Sequence, residues 1–247
     1  MILPKRVLIK LSGGALADKS GFGFNPNRIS HIVKEVLKVA EMGVEIGIVV
    51  GGGNIMRGSI GAHWGLERAE ADGIGMLGTV VNALMLRAAI KSQTDRDVRV
   101  LSAVRVDEVV EPFLRARAMK HLKKGHIVIF GGGIGQPYVT TDYPSIQRAI
   151  ETNCDLVLVA KEGVDGVYDS DPKSNPNAKL FKTLAYDDFL AKDLKVMDQT
   201  AILLARDHKM PIHIFNFLEE GAMERICQGE TIGTYISPAT KLALNGV

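Results

Sequence analysis

Short apolar runs rich in β-branched residues recur along the chain, and three of them end in a glycine turn. These runs are Val7–Leu11, Val44–Val50 and His126–Phe130. Apolar runs of this length that end in glycines are typical of buried parallel strands. The segment Ile29–Ala40 instead repeats its apolar residues three and four positions apart and stops before Gly43, which predicts a helix. The alternation predicts an α/β fold, a three-layer sandwich around a mainly parallel twisted sheet.

The same alternation continues to residue 236. Further strands are predicted at Val98–Leu101, Leu156–Ala160, Leu180–Leu184, Ile212–Asn216 and Gly233–Ile236. Further helices are predicted at Arg115–Leu122, Tyr143–Thr152, Tyr186–Ala191, Gln199–His208 and Gly221–Cys227. Asp142 and Asp198 stand at the starts of two of these helices, where an aspartate is a natural N-cap. Ser237–Val247 is expected to form a tail.

One segment, Ala69–Ser92, is apolar on most of its faces. We expect no apolar run to reach membrane-spanning length, so this segment predicts a helix packed on both sides, with another subunit as one candidate neighbour. Gly73, Gly75 and Gly78 match the G-x-G-x-x-G pattern of dinucleotide sites, but a charged stretch precedes them instead of a strand. We interpret these glycines as small residues for helix packing.

Charged and hydroxyl side chains accompany the three glycine turns. Lys10 precedes the first turn, Arg57 follows the second, and Thr140 and Thr141 follow the third. Because the carboxyl ends of parallel strands share one edge of a sheet, these side chains are expected to line one crevice suited to phosphate. Each turn alone also fits an ordinary strand-to-helix connection. Three together favour a binding site.

Two further features leave alternatives open. Asp72 lies near the start of the long helix. Its carboxylate either interacts favourably with the helix dipole and has no other role, or accepts hydrogen bonds from the hydroxyls of a ligand. The polar loop that contains Asp165, Tyr168 and Asp171 fits an irregular connection, or a site in which the tyrosine packs on a base. The pattern itself decides neither question.

Composition narrows the functional class. The chain has 247 residues, 46% of them hydrophobic, and a formal net charge of +2 from scattered basic residues, so no nucleic-acid partner is expected. Cys154 and Cys227 have no paired spacing, which indicates neither a disulfide nor a zinc site and favours a cytoplasmic location. No Walker, G-x-S-x-G, H-E-x-x-H or C-x-x-C motif occurs. What remains is a crevice with glycines, a lysine, an arginine, threonines and aspartates. These residues suit phosphoryl transfer, with Mg²⁺ bound mainly through the phosphates.

Six motifs carry a family resemblance. They are KLSGG from Lys10, GGGNIMRG from Gly51, ADGIGMLGTVVNALML around Asp72, GQPYVTTD around Gln136, VDGVYDSDP around Asp165 and KVMDQTA around Asp198. In order and spacing they resemble the bacterial uridylate kinases of the amino acid kinase superfamily, from about residue 6 to 236. The resemblance implies a single domain with the amino acid kinase fold, which binds UMP in about residues 1–155 and ATP in about residues 156–236.

The resemblance also implies transfer of the ATP γ-phosphoryl to UMP, with Mg²⁺ as cofactor and no dedicated side-chain metal site. Implied catalytic residues are Lys10, Arg57 and Asp198. Implied ATP contacts are Lys10, Leu11, Ser12, Gly13, Gly53, Arg57, Glu162, Tyr168 and Asp171. Implied UMP contacts are Gly52, Asp72, Ile134, Gly135, Gln136, Pro137, Tyr138, Val139, Thr140 and Thr141.

Regulation and assembly follow from the same resemblance. It implies a homohexamer, UTP as an inhibitor and GTP as an activator that acts through the loop Asp18, Lys19, Ser20, Gly21, Phe22 and Gly23. The chain departs from the usual family pattern at Gly14, at Glu162 and in Gly133-Ile-Gly-Gln136. Two other functions remain open: a superfamily kinase with a carboxylate or carbamate acceptor, and a non-catalytic nucleotide sensor.

Overall fold

The structure, a computed structural model, describes residues 3–57, 61, 63–172 and 174–238 and the backbone of Ala243 and Leu244. Its strands are β1 (Arg6–Leu11), β2 (Glu45–Val50), β3 (Val98–Ser102), β4 (Glu111–Pro112), β5 (Ile127–Gly131), β6 (Leu156–Lys161), β7 (Phe181–Leu184), β8 (Ile212–Asn216), β9 (Thr234–Ile236) and β10 (Ala243–Leu244). Its helices are α1 (Pro26–Glu41), α2 (Arg68–Lys91), α3 (Arg115–Lys123), α4 (Asp142–Glu151), α5 (Tyr186–Ala191), α6 (Gln199–Asp207) and α7 (Ala222–Cys227). Gly13–Leu16 form a short 3-10 helix.

The strands form one sheet in the order β10-β7-β9-β8-β6-β1-β2-β5-β3-β4. All neighbouring pairs from β8 to β4 are parallel, whereas β9 runs antiparallel to β8 and β10 antiparallel to β7. The predicted mainly parallel sheet is confirmed. Strand β1 lies between β2 and β6, with Lys10 beside Val49 and Val159.

Two apolar cores lie on opposite faces of the sheet. Because side chains alternate along a strand, Val7 and Ile9 of β1 pack with α1, α2 and α7, whereas Leu8 packs with helices α3 to α6. The two faces of β1 are therefore covered by helices, which explains why its sequence is almost continuously apolar. The arrangement is the predicted three-layer sandwich.

The predicted elements are present with small shifts at their ends. The two-residue strands β4 and β10 were not predicted, and β10 lies within the predicted tail; residues 239–242 and 245–247 of that tail lie outside the described residues. The predicted cap Asp142 is wrong, because Thr141 is the N-cap residue of α4. Asp198 does occupy the N-cap position of α6 as predicted, but its side chain makes no capping hydrogen bond. Both aspartates bind other groups in the site.

Helix α2 has one covered and one uncovered face. It is long and apolar enough to cross a membrane by length and composition, so the expectation about apolar runs is wrong. Its contacts are those of a core helix, since Val80, Ala83 and Leu86 are buried and the helix packs on β3 and β5. The other face presents an apolar stripe of side chains that are 36–48% exposed: Ile74, Leu77, Val81 and Met85. Packing on both sides within this single chain is therefore not observed.

Candidate active site

The carboxyl ends of β1, β2 and β5 open into one crevice. Two adjoining cavities of about 380 and 300 Å³ occupy it, and both are lined by Gly52, Gly53, Arg57, Thr140 and Thr141. The first two glycine turns touch: a Cβ on Gly13 would lie 2.5 Å from the backbone nitrogen of Gly53. Glycine is required there because only backbone fits between the turns.

Lys10 forms the charged centre of the smaller cavity. It is 5% exposed, and its Nζ lies 2.6 Å from Oδ1 of Asp142 on α4. The other oxygen of Asp142 accepts a hydrogen bond from the backbone N–H of Asp198 at 3.1 Å, and the Asp198 carboxylate accepts one from the Thr140 hydroxyl. Burial opposes ionisation of Asp142, but the charges of Lys10 and Lys161 outweigh it and hold the pKa of this carboxyl below its ordinary value.

Arg57 lies where the two cavities meet. Its Nε donates to the carbonyl of Gly53 at 3.0 Å, and its Nη2 donates to that of Gly21 at 3.2 Å. The guanidinium also lies 5.5 Å from the ring centre of Phe22. Arg57 thus joins the second glycine turn to the loop Asp18–Gly23, and its charge is held at the edge of the crevice.

Asp72 lines the larger cavity and holds the third glycine loop. Its Oδ2 accepts a hydrogen bond from the backbone N–H of Tyr138 at 2.7 Å and lies 3.6 Å from Nε of Arg68. The Arg68 guanidinium lies 5.6 Å from the Tyr138 ring centre. Asp72 therefore has a tertiary role beyond the helix dipole, because it fixes a loop that follows β5.

Only some of the predicted UMP contacts line this larger cavity. Its lining includes Gly52, Asp72, Gln136, Val139, Thr140 and Thr141. Ile134, Gly135, Pro137 and Tyr138 belong to the same loop but are not among the described lining residues. The lining residues that were not predicted include Met56, Met76, Thr79 and Pro144. Their side chains add to the wall around the loop that follows β5.

A third cavity of about 450 Å³ follows β6. Tyr168 and Asp171 line it, and the Tyr168 hydroxyl donates to Asp165 at 3.3 Å. Glu162 is not among its described lining residues and instead forms an ion pair with Arg28 at 2.6 Å. The structure therefore gives Glu162 a partner on α1, away from the predicted adenosine contacts.

Residues 5–216 match the model of the amino acid kinase family. This chain belongs to the amino acid kinase family. A uridylate kinase from Frankia casuarinae is 53% identical over 94% of this chain and 90% of that protein, and one from Frankia alni is 52% identical over 94% and 91%. A UMP kinase structure from Bacillus anthracis superposes with a TM-score of 0.97 at 54% identity, covering 99% of this chain and all of that one. The structure of UMP kinase from Ureaplasma parvum gives 0.89 at 34% identity, covering 96% of this chain and all of that one. The resemblance and the fold predicted from the motifs are confirmed.

The sequence analysis did not single out Lys161, a charged residue that interacts electrostatically with Lys10 and Asp142. It ends β6 beside β1, and burial followed by the charge of Lys10 lowers the pKa of its ammonium group, against the opposing effect of Asp142. The signal was present, because Lys161, like Lys10, lies at the carboxyl end of an apolar strand and is followed closely by a glycine. What the sequence does not show is that β6 lies beside β1 in the sheet.

Proposed function

We propose that this chain is a nucleoside monophosphate kinase that transfers the γ-phosphoryl group of ATP to UMP in pyrimidine nucleotide synthesis. The observation that carries the proposal is the shared wall of the two cavities. A nucleotide whose sugar lies near Asp72 can direct its phosphate toward Arg57 and Lys10. The relatives named uridylate kinase and UMP kinase support the same acceptor.

The proposed chemistry needs charge and position rather than a side-chain nucleophile. An oxygen of the UMP phosphate attacks the γ-phosphorus while the bond to the leaving ADP oxygen breaks, so no covalent enzyme intermediate forms. Lys10, Lys161 and Arg57 supply positive charge around the transferred group. Asp142 orients Lys10, and Asp198 holds Thr140 beside the acceptor.

The donor nucleotide is proposed to extend from Lys10 and the glycine turns to the third cavity. Leu11, Ser12, Gly13 and Gly53 would border its phosphates, and Tyr168 and Asp171 its adenosine part. Tyr168 is suited to packing on a base because one side of the third cavity is formed by this residue. Glu162 would act indirectly through Arg28, whose Nη1 lies 3.5 Å from the carbonyl of Gly14.

Magnesium is proposed to enter with ATP. In the described ranges no group of three or more His, Cys, Asp or Glu side chains could hold a metal ion. The carboxylates of Asp142 and Asp198 fit a few oxygen contacts at most, since Lys10 and Thr140 already engage them. This donor set suits an ion held mainly by phosphate oxygens and water, which would neutralise phosphate charge.

Regulation, assembly and location remain proposals of the same kind. The loop Asp18–Gly23 is fixed to Arg57, so a GTP molecule bound there would act directly on the crevice. Inhibition by UTP, a cytoplasmic location and a homohexamer complete the proposal. The exposed apolar stripe of α2 supports self-association because a partner would remove it from water.

The test is ADP release from ATP and Mg²⁺ with one acceptor offered at a time. UMP, CMP, dUMP, acetylglutamate and carbamate distinguish the candidate reactions. Turnover confined to UMP is the expected result. Turnover with acetylglutamate or carbamate alone would assign a different kinase. A protein that binds ATP or UMP without turnover of any acceptor would be a sensor.

A further inference from the structure

The loop that leaves β5 has a backbone that must be held from outside. Four of its residues have left-handed φ angles: Gly132 at 73°, Gly133 at 56°, Gly135 at 78° and Tyr138 at 66°. Glycine adopts such angles freely, so a loop with three glycines keeps one conformation only where contacts from other elements hold it. Within the loop, Gly135 N–H donates to the carbonyl of Gly132 at 2.9 Å, which leaves the first two glycines to be fixed by other elements.

Thr79 of α2 fixes the loop from one layer of the sandwich. Its hydroxyl accepts a hydrogen bond from the N–H of Gly132 at 2.7 Å. The same hydroxyl donates to the carbonyl of Met76 at 2.7 Å, so its one proton is used within the helix and a lone pair is directed at the loop. Thr79 is 7% exposed and lines the larger cavity, so this contact lies at the acceptor site itself.

Arg148 of α4 fixes the loop from the opposite layer. It is 4% exposed, and its Nη2 donates to the carbonyl of Gly133 at 3.1 Å. Its Nη1 pairs with Glu151 at 2.5 Å, and its guanidinium lies 3.6 Å from the ring centre of Phe113. The ion pair and the stacking contact set the plane of the guanidinium, so the donor aimed at the loop is pre-organised.

We infer that Thr79 and Arg148 are positioning residues that hold the acceptor loop in its binding conformation. They act on the N–H of Gly132 and the carbonyl of Gly133, the first residues of the loop that leads to Gln136 and Thr140. Arg148 is not among the described lining residues of either cavity of the crevice, so it acts through the loop. The inference rests on the proposed function, because it takes UMP as the ligand of this loop.

The first test is a comparison of Michaelis constants. Thr79→Val and Arg148→Met each remove one contact of the loop, and we expect each to raise KM for UMP about tenfold, as for a lost hydrogen bond in a site. We expect KM for ATP to change less than about twofold. Thr79→Ser keeps the hydroxyl and should retain the wild-type KM for UMP. The matched control is Arg115→Met, since Arg115 bonds the carbonyl of Glu151 at 2.6 Å without reaching the loop.

The second test measures the order of the loop directly, by amide hydrogen exchange and without catalysis. In the nucleotide-free protein, amide hydrogen exchange at Gly132 should become faster in Thr79→Val and stay slow in Thr79→Ser. Exchange at Gly135 should become faster in Arg148→Met, and amides of β1 should not change. Equal losses for UMP and ATP, or unchanged exchange in the loop, would overturn the positioning role. Wild-type protein that does not phosphorylate UMP would instead refute the proposed function, and with it the ligand assigned to the loop.

Discussion

The ion pair between Lys10 and Asp142 places two charges in the centre of the sandwich. Their side chains are only 7% and 11% exposed, so each charge depends on the other for compensation. Lys161 adds a second cation, whose lowered pKa reflects burial and the repulsion from Lys10. A site of this kind is electrostatically prepared for an anion before the anion arrives.

Replacement of Lys10 tests this preparation. We expect Lys10→Ala to lower kcat about 10² to 10³-fold, the usual cost of removing one group that stabilises developing charge. It should also lower the free energy of unfolding by about 3 kcal/mol, because Asp142 remains buried without its partner. Steady-state kinetics and urea denaturation measure the two effects, with Lys182→Met, an exposed strand lysine, as control. Full turnover in Lys10→Ala would contradict the catalytic role.

Asp72 should discriminate between the two substrates. Asp72→Asn keeps the size of the side chain but removes its charge, and it weakens the acceptor for Tyr138 N–H and for a ribose hydroxyl. We expect KM for UMP to rise about tenfold and KM for ATP to change less than about twofold. Initial rates with each substrate varied in turn provide the measurement. Unchanged affinity for UMP would count against the placement of the sugar.

His213 gives the fold a dependence on pH far from the crevice. Burial lowers the pKa of its ring to about 4, against an unfolded value of 6.5, and the neutral ring donates Nε2–H to the carbonyl of Ile232. As the pH falls below 6.5, His213 becomes protonated in the unfolded chain but stays neutral in the folded chain. The free energy of unfolding therefore decreases until about pH 4. Between pH 7 and 5 the loss from this group is about 2 kcal/mol.

The measurement is urea denaturation at pH 7 and pH 5. His213→Gln retains a donor for Ile232 and does not titrate, so its loss of stability over this range should be about 2 kcal/mol smaller than that of the wild type. His208→Gln, which changes an exposed histidine, should behave as the wild type. Equal losses in His213→Gln and the wild type would show that the buried ring does not contribute.

The second glycine turn and helix α2 are in direct backbone contact. A Cβ on Gly52 would lie 2.3 Å from the carbonyl oxygen of Gly75 and 3.2 Å from the nitrogen of Thr79, both on α2. The second glycine turn and the long helix therefore share a contact that admits no side chain. The helix that carries the exposed apolar stripe is thus in direct contact with the glycine turn that lines the crevice.

Gly52→Ala should separate these two elements. Because the obstacle is backbone, relief requires movement of the turn or the helix, and we expect a loss of about 2 kcal/mol in the free energy of unfolding, as for overpacking in a core. Gly53→Ala is the matched control, since a Cβ there meets no atom within 4 Å. Thermal unfolding of the two variants is the measurement. Equal melting temperatures would mean that the turn adapts without cost.

The sequence predicted most elements because their patterns are local. Apolar runs and helical spacing fall within single segments, and the glycine turns mark where strands end. The roles of Asp142 and Arg148 depend instead on which elements are neighbours, since Lys10 is remote in sequence from Asp142 and Gly133 belongs to a different element from Arg148. The local sequence therefore suggested only a capping role for Asp142, and it gave no indication of the role of Thr79.

At the scale of the whole molecule, the uncovered face of α2 is the main surface feature. Its apolar stripe of Ile74, Leu77, Val81 and Met85 lies along one side of the helix, with successive members three or four residues apart. A second copy of the chain packed on this stripe would complete the two-sided burial that the sequence predicts. The oligomeric state is therefore the property that a charge on this face should change.

Leu77→Glu places a charge in the middle of the stripe. We expect it to shift the protein toward smaller species, because a carboxylate buried without a partner opposes association. Sedimentation velocity or light scattering after size exclusion measures the shift. Leu203→Glu on α6 is the control, since Leu203 is also partly exposed on a helix but lies away from α2. An unchanged mass in Leu77→Glu would show that this stripe does not form an interface between copies.

The strands at the two edges of the sheet bear on whether other molecules can add strands to it. In the described residues the sheet ends in two-residue strands, β4 at one side and β10 at the other. Pro112 in β4 has no N–H, and a two-residue strand offers little template for a strand from another molecule. Growth by addition of strands is thereby discouraged, as a safeguard against fibrous aggregation. The helix faces, such as that of α2, are the surfaces that this arrangement leaves open to contact between copies.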